Sequence, residues 1–313
     1  MSRAFVFPGQ GSQAVGMGQE LAGAFAAARD VFDEVDEALK QSLSRLMFEG
    51  PEGDLTLTEN AQPALMAVSL AVMRVLEKEG GLDLGKAARF VAGHSLGEYS
   101  ALAAAGTFSL ADTARLLKTR GRAMQKAVPV GAGAMAALLG LDLDAAREVA
   151  AAAAQGEVCA AANDNAPGQV VVSGHKAAVE RAVALAAERG ARRSVLLPVS
   201  APFHCPLMAP AADVMAEALE AVAMAPPRLP LVANVTAAPV TDPDEIRRLL
   251  VAQVTGTVRW RESVLYMKEQ GVGTLVEAGA GKVLGGLARR IDREVEGVSL
   301  QTPADIEAFL KTL

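Results

Sequence analysis

The sequence predicts an α/β protein: a main domain with a parallel sheet, interrupted by a smaller β-α-β-β-α-β unit. Three observations predict it. Short apolar runs such as "RAFVF" (3–7) and "ARFVAG" (88–93) alternate with longer helical patterns, the rhythm of strands crossed by helices. Glycine-rich turns stand where those runs end. The middle of the chain has its own order of strands and helices. Composition agrees: 51% of the 313 residues are hydrophobic and 21% charged, ordinary for a globular enzyme. Abundant alanine and glycine with only 4% aromatics point to helices packed closely on a sheet.

"RAFVF" reads as a buried strand ending at Pro8, followed by a glycine-rich turn and helical patterns through about residue 48. "AQPALMAVSLAVMRVLEKEG" (61–80) is apolar all round, so it is expected as a buried helix. "ARFVAG" enters a turn at Ser95, and "SLADTARLLKTRGRAMQKAV" (109–128) is helical with Ser109 as its N-cap. Then "GAMAALLG" (133–140) reads as strand and "DLDAAREVAAAAA" (142–154) as helix. "EVCAAAN" (157–163) and "GQVVVSG" (168–174) read as strands around an Asn/Pro/Gly turn. "KAAVERAVALAAERG" (176–190) is a helix, and "RRSVLLPV" (192–199) closes as a strand. That order is the split ferredoxin-like unit. The main domain is thus expected over 1–129 and 200–313, with the small domain over 130–199. Helices over about 206–224, 242–254 and 260–270 and the strand "GTLVEAG" (273–279) complete the main domain.

The formal charge of −6, from 30 basic and 36 acidic residues, argues against a nucleic-acid partner. Cys159 and Cys205, the only cysteines, cannot build a disulfide framework or a cysteine-rich metal site, which fits a cytoplasmic setting. "MSRAFVFPGQG" lacks the long apolar segment of a signal peptide, and no apolar run approaches the roughly 18 residues of a membrane span.

The chemistry centres on "GHSLG", which matches G-x-S-x-G at Gly93, Ser95 and Gly97. Between a strand and a helix this is the strained turn that exposes a serine nucleophile, and its crowding leaves no room for side chains two residues away. The following helix aims backbone N–H groups at the site, so Leu96 N–H is the first oxyanion donor. The competing reading is an ordinary strand-to-helix turn with Ser95 as its cap. A serine hydroxyl needs a base, and the chain holds three histidines. His94 adjoins Ser95 and should point away; His175 starts a helix, where it would cap or face solvent. His204, in the proline-rich loop "PVSAPFHCPLM", remains as the base. No triad acid is apparent: the upstream carboxylates Asp164 and Glu188 fall inside the inserted unit, and a backbone or amide oxygen is the alternative. Both cysteines are expected to pack in the core. "FPGQGSQAVGMG" (7–18) matches the dinucleotide fingerprint at Gly9, Gly11 and Ala14, but Pro8 and the lack of a βαβ continuation disfavour a nicotinamide site. It reads better as a close-approach loop whose Gln10 N–H supplies a second oxyanion donor.

Together "FPGQGSQ", "GHSLGEYSAL" and the histidine loop resemble, in order and spacing, the malonyl-CoA:acyl-carrier-protein transacylase family of fatty-acid synthesis. The likeness continues through "RGRAMQ", "NAPGQVVVSGH" and "EAGAGKVLGGL" and spans nearly the whole chain. It implies a hydrolase-like α/β core with a ferredoxin-like insert. It also implies malonyl transfer from coenzyme A to Ser95, then to the phosphopantetheine thiol of an acyl carrier protein, with no cofactor beyond the malonyl-CoA substrate. By the same likeness Arg120 pairs with the malonyl carboxylate, and the Gln253 carbonyl orients His204. A guanidinium that binds a carboxylate bidentately would also reject neutral acyl groups; the alternative is a solvated helix arginine beside Arg115 and Arg122. Cys205, Ala280 and Gly256-Thr257 depart from common residues of the family, and "APFH" (201–204) resembles the malonyl-type pattern of related polyketide acyltransferases, which implies that Phe203 favours malonyl over methylmalonyl. An acidic carrier meeting a net-negative enzyme requires a local basic patch, for which Arg192, Arg193, Lys282, Arg289 and Arg290 are the candidates. The competing functions are a serine esterase or thioesterase, an acyltransferase of polyketide synthesis, and an inactive docking scaffold.

Overall fold

The computed structural model describes residues 2–312. The chain opens with β1 (Ser2–Phe7), then α1 (Gln19–Ala24), α2 (Ala26–Leu39), α3 (Leu43–Glu49), α4 (Glu52–Thr56), α5 (Thr58–Gly80) and α6 (Leu84–Ala87). Next come β2 (Phe90–Gly93), α7 (Gly97–Ala104) and α8 (Leu110–Ala127). The middle segment forms β3 (Gly133–Leu139), α9 (Leu143–Ala154), β4 (Cys159–Ala166), β5 (Gln169–His175), α10 (Lys176–Glu188) and β6 (Arg193–Leu196). The chain then returns through α11 (Ala209–Glu220), β7 (Leu231–Val232), β8 (Pro239–Val240), α12 (Pro243–Thr255) and α13 (Trp260–Glu269). It ends in β9 (Val272–Ala278), α14 (Val283–Ile291), β10 (Glu296–Leu300) and α15 (Pro303–Leu310).

The larger sheet has the order β10-β9-β1-β2-β7-β8, parallel except for the β7–β8 pair. Its inner strands, "FVF" of β1 and "FVAG" of β2, are buried on both faces, which is why they read as continuous apolar runs. Helix α5 is buried along most of its length, as its all-round apolar pattern requires, and packs on α8. At that contact a Cβ on Gly121 would lie 2.5 Å from Glu59 Cα, so only glycine permits the approach. Ser109 caps α8: its Oγ accepts the Asp112 N–H at 3.0 Å.

The middle segment forms an antiparallel sheet of order β4-β5-β3-β6 with α9 and α10 on one face, the ferredoxin-like arrangement. Two boundaries of this segment differ from the sequence reading by three residues, the others by at most two. The strand expected to stop at Asn163 runs on to Ala166, and only Pro167 and Gly168 make the turn. Tertiary pairing overrides the turn preference of "NDN": Asn163 bridges Val258, and buried Asp164 pairs with Arg261 at 2.9 Å. The last strand ends at Leu196, not Val199, because Pro198 has no N–H for a ladder. Residues 197–199 instead line the cavity described below. No described helix is long and apolar enough to cross a membrane.

Candidate active site

Ser95 sits between the end of β2 and the start of α7 with φ 54°, a left-handed conformation that strains a non-glycine residue. Its neighbours are glycine of necessity. A Cβ on Gly93 would lie 1.9 Å from Gly97 O, and one on Gly97 would lie 2.2 Å from Phe7 O. Asn234 holds the turn from outside: its Oδ1 accepts the Ser95 N–H at 2.8 Å, and its Nδ2 donates to Gly93 O at 2.7 Å. The Gln10 and Leu96 backbone N–H groups find no protein acceptor among the described residues, and both residues line the cavity. Buried Thr58 anchors the Gln10 side chain, its Oγ1 donating to Gln10 Oε1 at 2.9 Å.

His204 Nε2 lies 2.7 Å from Ser95 Oγ. Its Nδ1 lies 2.9 Å from the Gln253 backbone oxygen. A carbonyl only accepts, so Nδ1 carries the proton and Nε2 accepts from the serine hydroxyl. His204 is 4% exposed, and burial, reinforced by the nearby Arg120 cation, pushes its pKa down to about 3. The imidazole is therefore neutral at pH 7. Among the described residues no carboxylate completes a triad: Asp164 is engaged with Arg261, and Glu188 is exposed. His94 is turned aside, its Nε2 2.8 Å from Asn165 Oδ1 and its ring tilted on Trp260. His175 takes the N-cap position of α10 without a side-chain capping bond and is half-buried; its Nδ1 accepts the Val158 N–H at 2.9 Å, tying β5 to the segment before β4. Cys205 is buried, as expected for a packing residue, and Cys159 is half-buried at the start of β4.

Arg120 is 1% exposed, whereas Arg115 and Arg122 on the same helix pair at the surface with Asp112 and Glu59. Its NH1 donates to Gln62 Oε1 at 2.8 Å, and its NH2 to Gln253 Oε1 at 2.8 Å and Ser95 Oγ at 3.1 Å. Its Nε has no partner, and among the described residues no carboxylate pairs with it. Burial lowers its pKa, but a guanidinium remains a cation. Here, then, is a buried positive charge beside a nucleophile, received by neutral oxygens and by the Tyr99 ring, whose centroid lies 5.7 Å from the Arg120 Cζ. Such a charge is costly unless an anion joins it.

Gln10, Leu96, Ser95, Arg120, Phe203 and His204 face one cavity of about 520 Å³. Met124, Met135 and Leu197 give it an apolar wall, and the small sheet supplies part of that wall. Arg192, Arg193, Lys282, Arg289 and Arg290 are exposed and line none of it. Arg193 pairs with Leu139, which also pairs with Gln169, and Arg290 donates to Gln169 Oε1 at 3.0 Å. Arg192, Arg193 and Arg290 thus gather at one end of the small sheet. Lys282 precedes the opposite end of α14, roughly 12 Å away at 1.5 Å per residue. Sequence reasoning missed Thr58, Gln62, Asn234 and the side-chain roles of Glu98 and Gln253. For Gln62 a signal existed: a polar residue inside the stretch 61–80, which reads as apolar all round.

The parallel sheet, the strained serine turn and the serine–histidine pair beside a buried arginine define a serine acyl-transfer enzyme of α/β architecture. Residues 4–300 match the family described as acyl transferase domain. The chain is 45% identical over 311 residues to a malonyl CoA-acyl carrier protein transacylase of Bacillus subtilis, covering 99% of this chain and 96% of that one. It is 46% identical over 308 residues to that of Escherichia coli K12, covering 98% of each. An acyl-carrier-protein-S-malonyltransferase of Bartonella henselae superposes with a TM-score of 0.97 at 57% identity, over 100% of this chain and 99% of that one. A malonyl-transacylase solved in complex with its type II PKS acyl-carrier protein superposes with a TM-score of 0.96 at 43% identity over the full length of both. The chain belongs to the malonyl CoA-acyl carrier protein transacylase family.

Proposed function

We propose that this chain carries malonyl from malonyl-CoA to the phosphopantetheine thiol of an acyl carrier protein by a two-stage exchange through Ser95. The observation that carries this reading is Arg120, a buried cation 3.1 Å from Ser95 Oγ with no carboxylate among the described residues paired with it. A malonyl thioester brings the missing anion, and a neutral acyl group does not.

In the first stage Ser95 Oγ attacks the thioester carbon while His204 Nε2 takes the hydroxyl proton. The oxygen of the tetrahedral intermediate receives the Gln10 and Leu96 N–H groups. The C–S bond breaks, and the imidazolium proton leaves with the coenzyme A thiol. In the second stage the carrier thiol gives its proton to His204 and attacks the ester; the C–O bond breaks, and Ser95 recovers its proton. The Gln253 carbonyl steadies Nδ1–H throughout, in place of a triad acid. When the malonyl carboxylate neutralises Arg120, one cause of the depressed His204 pKa is removed, so the correct substrate strengthens its own base. These steps need only groups of this chain, so we propose that the reaction uses no cofactor. We place it in the cytoplasm, where both cysteines stay as thiols. The apolar wall with Phe203 suits the unbranched malonyl group over methylmalonyl. The domain division at 130 and 199 is proposed on the same footing: the small sheet as a separate unit that closes one side of the cavity.

Intact-protein mass spectrometry after mixing with malonyl-CoA tests the reading. A malonyl adduct on Ser95 that carrier protein discharges faster than water is the expected result. Rapid conversion to free malonate would make the chain a hydrolase, and no adduct would make it a scaffold.

A further inference from the structure

Glu98, the second residue of α7, lies beneath the nucleophile with 1% of its surface exposed. Among the described residues no cation touches its carboxylate: its neighbours are the Gln253 Nε2 at 2.7 Å and the Asn234 backbone N at 3.4 Å. A buried carboxylate without an ion pair is costly, and an apolar side chain of similar size would pack there at less cost.

Gln253 explains what the carboxylate does. An amide has two unlike ends, and only its oxygen can receive Arg120 NH2. If the amide turned over, two donors would face each other inside the protein. Its orientation is set on the other side, where Nε2 meets Glu98 Oε2 at 2.7 Å, Ser95 O at 2.9 Å and Asn234 Oδ1 at 3.5 Å. The last two acceptors already have partners: Ser95 O receives the Glu98 N–H, and Asn234 Oδ1 receives the Ser95 N–H. Glu98 offers the shortest contact of the three and the strongest acceptor. We infer that Glu98 is a positioning residue that fixes the polarity of the Gln253 amide, and through it holds the Arg120 guanidinium where the acyl carboxylate meets it. This inference rests on the reading of Arg120 as the carboxylate-binding group.

The test compares Ser95 loading from malonyl-CoA and from acetyl-CoA at about pH 8.5, where Glu98, its pKa pushed up to about 7 by burial, is ionised; loading is followed by intact mass on the full chain. Glu98→Leu is expected to lower malonyl loading about tenfold more than acetyl loading, the effect of losing one charge-assisted hydrogen bond. Glu98→Gln, whose side-chain oxygen can take the same donor, is expected to restore the ratio to within about threefold of the parent. Equal loss of both donors in Glu98→Leu, or an unchanged ratio, overturns the inference. If Glu98→Leu does not fold, Gln253→Leu serves: it keeps the backbone carbonyl used by His204, removes the amide, and must lose the same preference. An unchanged ratio there also overturns it. Arg120→Ala separates the two levels. If it leaves the ratio intact, the reading of Arg120 fails; if it abolishes the ratio while Glu98→Leu does not, the inference alone fails.

Discussion

At the scale of single residues, the site turns on protons and charges whose positions follow from hydrogen-bond chemistry. Because Gln253 O can only accept, His204 presents a bare Nε2 to Ser95 Oγ at 2.7 Å. With its pKa near 3, lowered by burial first and by Arg120 second, the base stays neutral far into acid. In Glu98→Gln, which removes the other buried group that titrates in this range, a carboxyl whose pKa burial raises to about 7, the rate of Ser95 acylation should therefore stay level from about pH 7.5 down to about pH 5, measured by rapid quench and intact mass. Removing the Arg120 cation favours the imidazolium and raises the His204 pKa, so in Arg120→Ala the acid limb moves to higher pH. An acid limb near pH 6.5 that persists in Glu98→Gln would refute this account of the base. Arg120→Ala should also cut malonyl loading by roughly 100-fold or more, with much less effect on acetyl loading, because the lost contact is a buried charge pair.

At the scale of elements, backbone proximity sets the site as firmly as side chains do. Arg120 reaches Ser95 only because α8 lies against α5 at Gly121, where a Cβ would fall 2.6 Å from Thr58 O and 2.5 Å from Glu59 Cα. Gly121→Ala should push the two helices apart and cost about 1–3 kcal/mol of stability, read by chemical denaturation. The same shift should blunt the malonyl-over-acetyl preference, since Thr58 and Gln62 on α5 hold Gln10 and Arg120. Full stability with full preference in that variant would show that the helix contact is not what places the arginine.

At the scale of the whole molecule, the small sheet supplies part of the cavity wall and brings Arg192 and Arg193 beside Arg290 of α14 in the proposed carrier surface. Met135 lines the cavity, and Leu139, four residues along β3, pairs with Arg193. At about 3.4 Å per residue the arginine cluster stands roughly 14 Å from the cavity wall. An acidic carrier approaching a chain of net charge −6 needs such local positive potential. Arg192→Glu with Arg193→Glu should raise the KM for carrier severalfold, more at low salt, and leave loading from malonyl-CoA intact. Carrier kinetics that do not change would reject the patch.

The sequence by itself determined the architecture and the reactive pair. Strand and helix periodicity, glycines two residues either side of Ser95, and the scarcity of histidines are local or countable features, and they sufficed to place Ser95 and single out His204. Strand ends were less legible, because Asn163 and Asp164 stay in β4 through partners about 95 residues away, Val258 and Arg261. Only the tertiary structure decided how the buried polar side chains join. Glu98, Asn234 and Gln253 meet across separations of 136 and 155 residues, at distances no local pattern encodes. It likewise decided that Arg120, one of three nearby arginines on α8, is the one buried beside the nucleophile. The physical reason is that periodicity reports which face of an element is apolar. Whether a polar group on that face finds its partner depends on which distant segments the fold brings against it.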